Sequence, residues 1–128
     1  MDEFFTRASA NEGVKLPLYL PNGTVTEHFF VVRGVDSDEF RVAESKAKRG
    51  AINIAQLDTE AERIDAIQQS ERECIASLIA SWSFDNPCTR PNVMAFLKEA
   101  PQIADAVNRF AARREGFMAK KPTSSSDG

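Results

Sequence analysis

The dipeptide Asn22-Gly23, set between two stretches of alternating apolar residues, restricts the fold of this chain more than any other feature. Asn-Gly tolerates positive φ and is the strongest short-range signal of a β-hairpin. We predict strands over residues 14–21 and 24–32 joined by a two-residue turn, so that the numbers of paired residues add to 45. Because Pro17 cannot donate a ladder hydrogen bond, the first strand is predicted to be an edge strand. One face then holds seven apolar residues and one glutamate: Val14, Leu16, Leu18, Leu20, Val25, Glu27, Phe29 and Val31.

The rest of the chain has helical periodicity. The segment Asp36-Ser37-Asp38-Glu39 is a candidate helix start, and Thr59 with Glu62 forms a capping box. Pro91 and Pro101 fit the first turns of two further helices. We therefore predict an α+β fold, an N-terminal β-hairpin or small antiparallel sheet followed by about four α-helices. Three apolar stripes are expected to mark these helices: Phe40, Ala43, Ala47, Ala51 and Ile54; Ile64, Ile67, Cys74, Ile75, Leu78, Ile79 and Trp82; Ile103, Val107, Phe110, Phe117 and Met118.

Length and charge limit the class of protein. A chain of 128 residues suits one domain, predicted over residues 1–118, and residues 119–128 lack large apolar groups and are predicted to be a disordered polar tail. The net charge of -3 argues against a protein that coats DNA. The acidic first residues do not resemble a signal peptide, so we expect a reducing cytoplasm in which Cys74 and Cys88 are thiols.

The residues offer little for catalysis. His28 is the single histidine, and neither cysteine lies near it in sequence or at zinc-ligand spacing. The chain also has no glycine-rich phosphate loop. We therefore predict a protein that is not an enzyme and that uses no cofactor and no metal.

The C-terminal part of the chain is basic and apolar, and it gives the candidate partner-binding residues. Five of the 16 basic residues lie within residues 109–128. These cations complement a helix C-terminus, contact an acidic partner protein or contact nucleic acid, and the sequence leaves the three alternatives open, although the acidic chain counts against nucleic acid. Nine phenylalanines are many for this length, so some are expected to face a partner. The predicted partner-binding residues are Phe110, Arg113, Arg114, Phe117 and Met118.

Three stretches of sequence resemble one protein family. They are residues 18–23 (LYLPNG) with 31–40 (VVRGVDSDEF), residues 78–84 (LIASWSF), and residues 92–97 (NVMAFL) with 101–111 (PQIADAVNRFA). Together they look like the tail assembly chaperones of long-tailed, lambda-like bacteriophages, over about residues 14–118.

The resemblance implies a function without catalysis. Such chaperones coat the tape measure protein of the phage, keep it soluble, and help tail tube subunits assemble around it. They are made in a short form and in a form extended by a programmed -1 ribosomal frameshift, and the extension recruits the tail tube protein. The resemblance thus implies a homo-oligomer in the host cell cytoplasm that is absent from the mature virion. It implies no contact with nucleic acid or membrane.

Two other functions remain open from the sequence. A minor structural or connector protein of a phage tail or head would have a similar composition. A small DNA-binding regulator would use residues 101–118 as a recognition helix, although the acidic balance of the chain counts against it.

Overall fold

In a computed structural model, which describes residues 1–118, the chain turns at Gly23 between two antiparallel strands. Strand β1 covers Val14–Tyr19 and strand β2 covers Val25–Val32. A third strand, β3, pairs with the other side of β2, so the sheet has the order β1-β2-β3. The predicted hairpin and the predicted edge position of β1 are confirmed.

The predicted register is wrong by one residue along most of the hairpin. Val14 pairs with Val32 and Leu16 with Phe30, and an irregularity between Pro17 and Tyr19 resets the pairing near the turn. The turn has three residues, because the N–H of Leu20 donates to Thr24 O at 2.9 Å, and it pairs Tyr19 with Val25. The irregularity then shifts the pairing by two residues, to Pro17 with Phe29, which leaves the side chains on the same faces. Gly23 has a φ of 88° but Asn22 does not have a positive φ, whereas a two-residue type I′ turn needs both.

This change of register reverses the faces of β2. Phe30 and Val32 are fully buried, while Phe29 and Val31, which we predicted on the core face, are only partly buried. A shift by one residue moves every side chain of a strand to the other face, so the error in the turn explains the error in the core.

Five α-helices lie within the described residues, and a sheet combined with these helices confirms the predicted α+β fold. Helix α1 covers Arg7–Glu12, α2 covers Asp38–Ala55, α3 covers Glu60–Ala76, α4 covers Arg90–Glu99, and α5 covers Pro101–Ala112. Short 3-10 helices cover Asp2–Phe4 and Arg114–Phe117. Helix α1 is an element that the sequence pattern did not indicate.

The helix starts follow the predicted capping signals. Ser37 accepts a hydrogen bond from the N–H of Phe40 at 3.3 Å at the start of α2. At α3, Thr59 and Glu62 form the predicted capping box, with both bonds at 3.1 Å. Gly50 lies inside α2 without interrupting it.

The helix predicted to follow the Thr59 capping box is too long, and its last part is a strand. Helix α3 ends at Ala76, and Ile79–Trp82 forms β3, which pairs with Phe30, Val31 and Val32. Arg33 stabilises the segment between α3 and β3. Its backbone N–H donates to Leu78 O, and its guanidinium donates to Ser77 O at 3.0 Å.

The predicted last helix also ends early. Helix α5 ends at Ala112, and Arg114–Phe117 turns back as a 3-10 helix that buries Phe117. The core lies between the sheet and helices α4 and α5. Its buried members include Leu18, Phe30, Val32, Leu78, Ile79, Val93, Leu97, Ile103 and Val107. The predicted polar tail, residues 119–128, lies outside the described residues.

Candidate partner-binding surface

The antiparallel pair of helices α2 and α3, which we call the helical hairpin, has no buried residue from position 38 to position 75. Its two helices have 18 and 17 residues and contact each other. Helices of this length gain most of their stability from packing an apolar face rather than from propensity. The body of the protein therefore leaves the helical hairpin largely uncovered, although it carries apolar residues.

Those apolar residues form a groove between the two helices, which we call the hairpin groove. Its volume is about 580 Å³. Helix α2 contributes three alanines and Ile54, whereas α3 contributes Ile64 and Ile67, which remain 49% and 46% exposed. Large apolar side chains half exposed in a concave surface are typical of a site that receives an apolar partner. The apolar lining is Ala47, Ala51, Ile54, Ala55, Ile64 and Ile67.

Charged residues of both signs border the hairpin groove. Glu60, Arg63 and Glu71 lie along the α3 side. The Arg63 guanidinium donates to Leu57 O at 2.6 Å, which ties it to the loop between the helices. A polar border around an apolar centre is the usual arrangement of a protein interface.

The candidate residues predicted near the C-terminus do not form an apolar surface. Phe117 is 1% exposed, and its ring centre lies 6.0 Å from that of Phe110, which is partly buried. Met118 remains 52% exposed. Arg113 is exposed and pairs with Glu115 at 3.2 Å. Because Phe117 is in the interior, its ring offers no surface to a partner of the folded protein.

Arg114 has an internal contact instead of a free surface position. Its guanidinium donates two hydrogen bonds to the Asp36 carboxylate, at 2.8 and 3.1 Å. Thr6 and Arg41 donate to the same carboxylate at 2.7 and 2.9 Å. The bond from Arg114, with those from Thr6 and Arg41, lowers the pKa of Asp36 to about 2 against the opposing effect of burial. This Asp36 cluster joins the N-terminal segment, the start of α2 and the C-terminal 3-10 helix.

The residues that sequence reasoning examined for catalysis lie apart. His28 contacts Ser83 Oγ through Nδ1 at 3.1 Å, whereas Cys74 donates weakly to Ala43 O at 3.8 Å. Burial raises the pKa of the Cys74 and Cys88 thiols, and both are free. Within residues 1–118, no group of three or more His, Cys, Asp or Glu side chains is arranged to hold a metal ion.

The hairpin groove is the part of the site that sequence reasoning missed. The stripe that begins at Phe40 predicted a helix but did not show what covers it: Phe40 packs against the core, whereas Ala47, Ala51 and Ile54 line the groove beside α3. The small side chains gave the one available signal, because a stripe of alanines buries too little area to hold a helix on a sheet.

No protein-family model, curated protein or solved structure matches this chain. None of the helices described in residues 1–118 is long and apolar enough to cross a membrane.

Proposed function

We propose that this protein is a tail assembly chaperone of a long-tailed bacteriophage, which binds the tape measure protein and keeps it soluble until the tail tube assembles around it. One observation carries the proposal beyond the sequence resemblance: the helical hairpin has no fully buried residue over residues 38–75 and contains an apolar groove. The protein acts by binding, not by catalysis, in the cytoplasm of the host cell.

The dimensions of the hairpin groove suit a helical partner. Helix α2 has 18 residues and is therefore about 27 Å long. An amphipathic helix laid along it would place its apolar stripe over Ile64 and Ile67, in the helix-in-groove mode of recognition. One copy would cover about 18 residues of such a helix, so a long tape measure protein needs many copies.

Weak binding by each copy fits this role. A chaperone must leave when the tube subunits arrive, and many weak contacts along one chain give high total affinity through avidity. In the absence of the tape measure protein, a second copy of the chain would cover the same groove. A form extended by a frameshift would bring the tail tube protein to the same complex.

Co-expression with the tape measure protein of the same phage tests the proposal. The wild-type chain should raise the soluble yield of that protein and co-purify with it. Ile64→Glu and Ile67→Glu place a charge in the hairpin groove and should abolish both effects.

Ile52→Glu is the matched control, because Ile52 lies on α2 outside the groove and is 68% exposed. It should behave as wild type. An unchanged yield with the wild-type chain, or equal loss in all three variants, would remove the proposal. The chaperone should also be absent from purified virions, and its presence there would favour a structural protein.

A further inference from the structure

A second cavity, of about 640 Å³, opens beside β3 and α4 and shares no lining residue with the hairpin groove. We call it the aromatic pocket. Its walls combine four aromatic rings with two carboxylates: His28, Trp82, Phe84, Phe96, Asp85 and Glu99.

The rings form a fixed surface. The ring centre of Phe84 lies 4.7 Å from that of His28 and 5.2 Å from those of both Trp82 and Phe96. Phe30, which is fully buried, packs beneath them at 5.7 Å from Phe96. All four rings of the pocket are only partly buried, so each presents some surface to the cavity.

The indole of Trp82 is held in place by its own polar group. Its Nε1–H donates to Asn86 O at 2.7 Å. The indole N–H is therefore already satisfied, and what Trp82 offers to a ligand is its π surface. A ring fixed before binding loses little conformational entropy when a ligand arrives.

The charges of the aromatic pocket are all of one sign. Asp85 and Glu99 are exposed at its border, and neither forms an ion pair with any residue in the range 1–118. No lysine or arginine lines the cavity. The faces of aromatic rings are electron-rich, so rings and carboxylates together attract a cation.

We propose that the aromatic pocket binds an arginine side chain of a partner protein. A guanidinium is planar, so it stacks on aromatic rings while its N–H groups bond a carboxylate in a fixed fork. An ammonium group is more strongly hydrated and gains less from stacking. This proposal does not depend on the hairpin groove or on the identity of the protein that binds there.

Trp82 is the single tryptophan of the chain, so fluorescence excited at wavelengths that Tyr19 does not absorb reports on the aromatic pocket alone. The test titrates the full chain with three blocked pentapeptides, Gly-Gly-X-Gly-Gly, in which X is arginine, lysine or citrulline. Citrulline has nearly the shape of arginine but no charge. We expect a saturable change with arginine, weaker binding with lysine, no saturable change with citrulline, and weaker arginine binding at high salt.

One double variant checks the carboxylates. Asp85→Asn with Glu99→Gln should weaken arginine binding by roughly threefold to tenfold, the range expected for exposed charge pairs. Because both side chains are exposed, the circular dichroism spectrum should not change. Asp105→Asn, exposed on α5 outside both cavities, is the control and should bind as wild type.

Several outcomes would overturn the proposal. They are the absence of a saturable change with arginine, equal binding of citrulline, and unchanged binding in the double variant. A fluorescence spectrum that depends on protein concentration without peptide would show that a second copy of this chain occupies the pocket instead.

Discussion

At the scale of single residues, Asp36 accounts for how the ends of the described chain are held. Its side chain is 18% exposed and receives hydrogen bonds from Thr6, Arg41 and Arg114. Charged bonds of this kind are stronger than neutral ones, and three donors on one carboxylate hold their segments together. Removing the carboxylate should therefore loosen both chain ends at once.

The Asp36 cluster should make stability depend on acid pH. The pKa of Asp36 is about 2 in the folded protein, below its ordinary value of 3.8. The stabilisation is therefore complete above about pH 4 and is lost as the pH falls toward 2. With half-exposed partners, its size is about 1–2 kcal/mol. Asp36→Asn should lower the free energy of unfolding by that amount at pH 7 and flatten its pH dependence between 2 and 4, measured by urea denaturation.

Asp105→Asn is the matched control for that experiment, since Asp105 is exposed on α5. It should leave both the free energy of unfolding and its acid dependence unchanged. Equal pH profiles for Asp36→Asn and the wild type would contradict the expected role of the Asp36 cluster.

Gly34 is a second residue on which the C-terminal segment depends. A Cβ atom at this position would lie 3.0 Å from both the Cγ of Phe117 and the Cβ of Ala10. Gly34→Ala should displace the buried Phe117 ring and lower the free energy of unfolding by about 1–3 kcal/mol. Gly50→Ala is the control: a Cβ there meets nothing within 4 Å, and alanine in a helix should stabilise by about 0.5–1 kcal/mol. Chemical denaturation of both variants checks this, and a Gly34→Ala protein as stable as wild type would refute it.

At the scale of elements, the helical hairpin should be the least stable part of the described fold. It has no buried residue over positions 38–75, whereas α5 buries Ile103, Ala104, Val107 and Ala111. Regions with few buried apolar contacts open most easily. Hydrogen exchange measured by mass spectrometry in dilute protein should show faster exchange in α2 and α3 than in α5. Equal protection of α3 and α5 would show that the hairpin is already covered.

The elements also show how far the sequence determines the fold. Capping at Thr59, Pro91 in the first turn of α4 and the hairpin at Gly23 follow local rules, and all three were predicted. The strand register was not predicted by these local rules. Pro21 adds one residue to the turn, and this reverses the faces of β2. Strand β3 was missed because Ile79 and Trp82 continue the helical spacing of α3, and only pairing with β2 makes them a strand.

The candidate site was harder to predict than the fold. Phe117 was predicted to face a partner because it lies close to a polar tail. In the structure the chain folds back over Gly34 after Ala112, and this buries the Phe117 ring. The hairpin groove consists of residues with ordinary amphipathic spacing. Periodicity shows that a helix has an apolar face and does not show whether the protein itself covers that face.

At the scale of the whole molecule, the helical hairpin carries opposite charges on its two helices. Helix α2 has four basic and three acidic residues, with Lys46, Lys48 and Arg49 near its middle, whereas α3 has five acidic and two basic residues. Two copies related by a two-fold axis would place α2 of each against α3 of the other, a self-complementary arrangement. A pair of hairpins would then form a four-helix bundle.

Self-association is therefore expected, and it should depend on the hairpin groove. Sedimentation of the wild-type chain should show dimers or larger species at high concentration. Ile67→Glu should shift the protein toward monomer, while Ile52→Glu should not. A wild-type protein that sediments as a strict monomer at high concentration would contradict this prediction.

The gene is predicted to slip near Ala119-Lys120-Lys121, which lies outside the described residues. An alanine codon ending in A, followed by two lysine codons, gives a run on which two transfer RNAs can re-pair after a backward step of one base. Mass spectrometry of infected cells should detect a second, longer product with the same N-terminal sequence. A lysine codon AAG at Lys120, or a single product ending at Gly128, would argue against slipping there.

The contacts that close the described domain come from the end of its chain, and this has a consequence for synthesis. Arg114 and Phe117 bind Asp36 and cover Gly34, which the ribosome makes about 80 residues earlier. A growing chain cannot make these contacts until residues 114–117 leave the exit tunnel, and by then the ribosome has already decoded codons 119–121. The choice of reading frame would therefore come before these contacts form. Both products would then form them with the same two residues, Arg114 and Phe117.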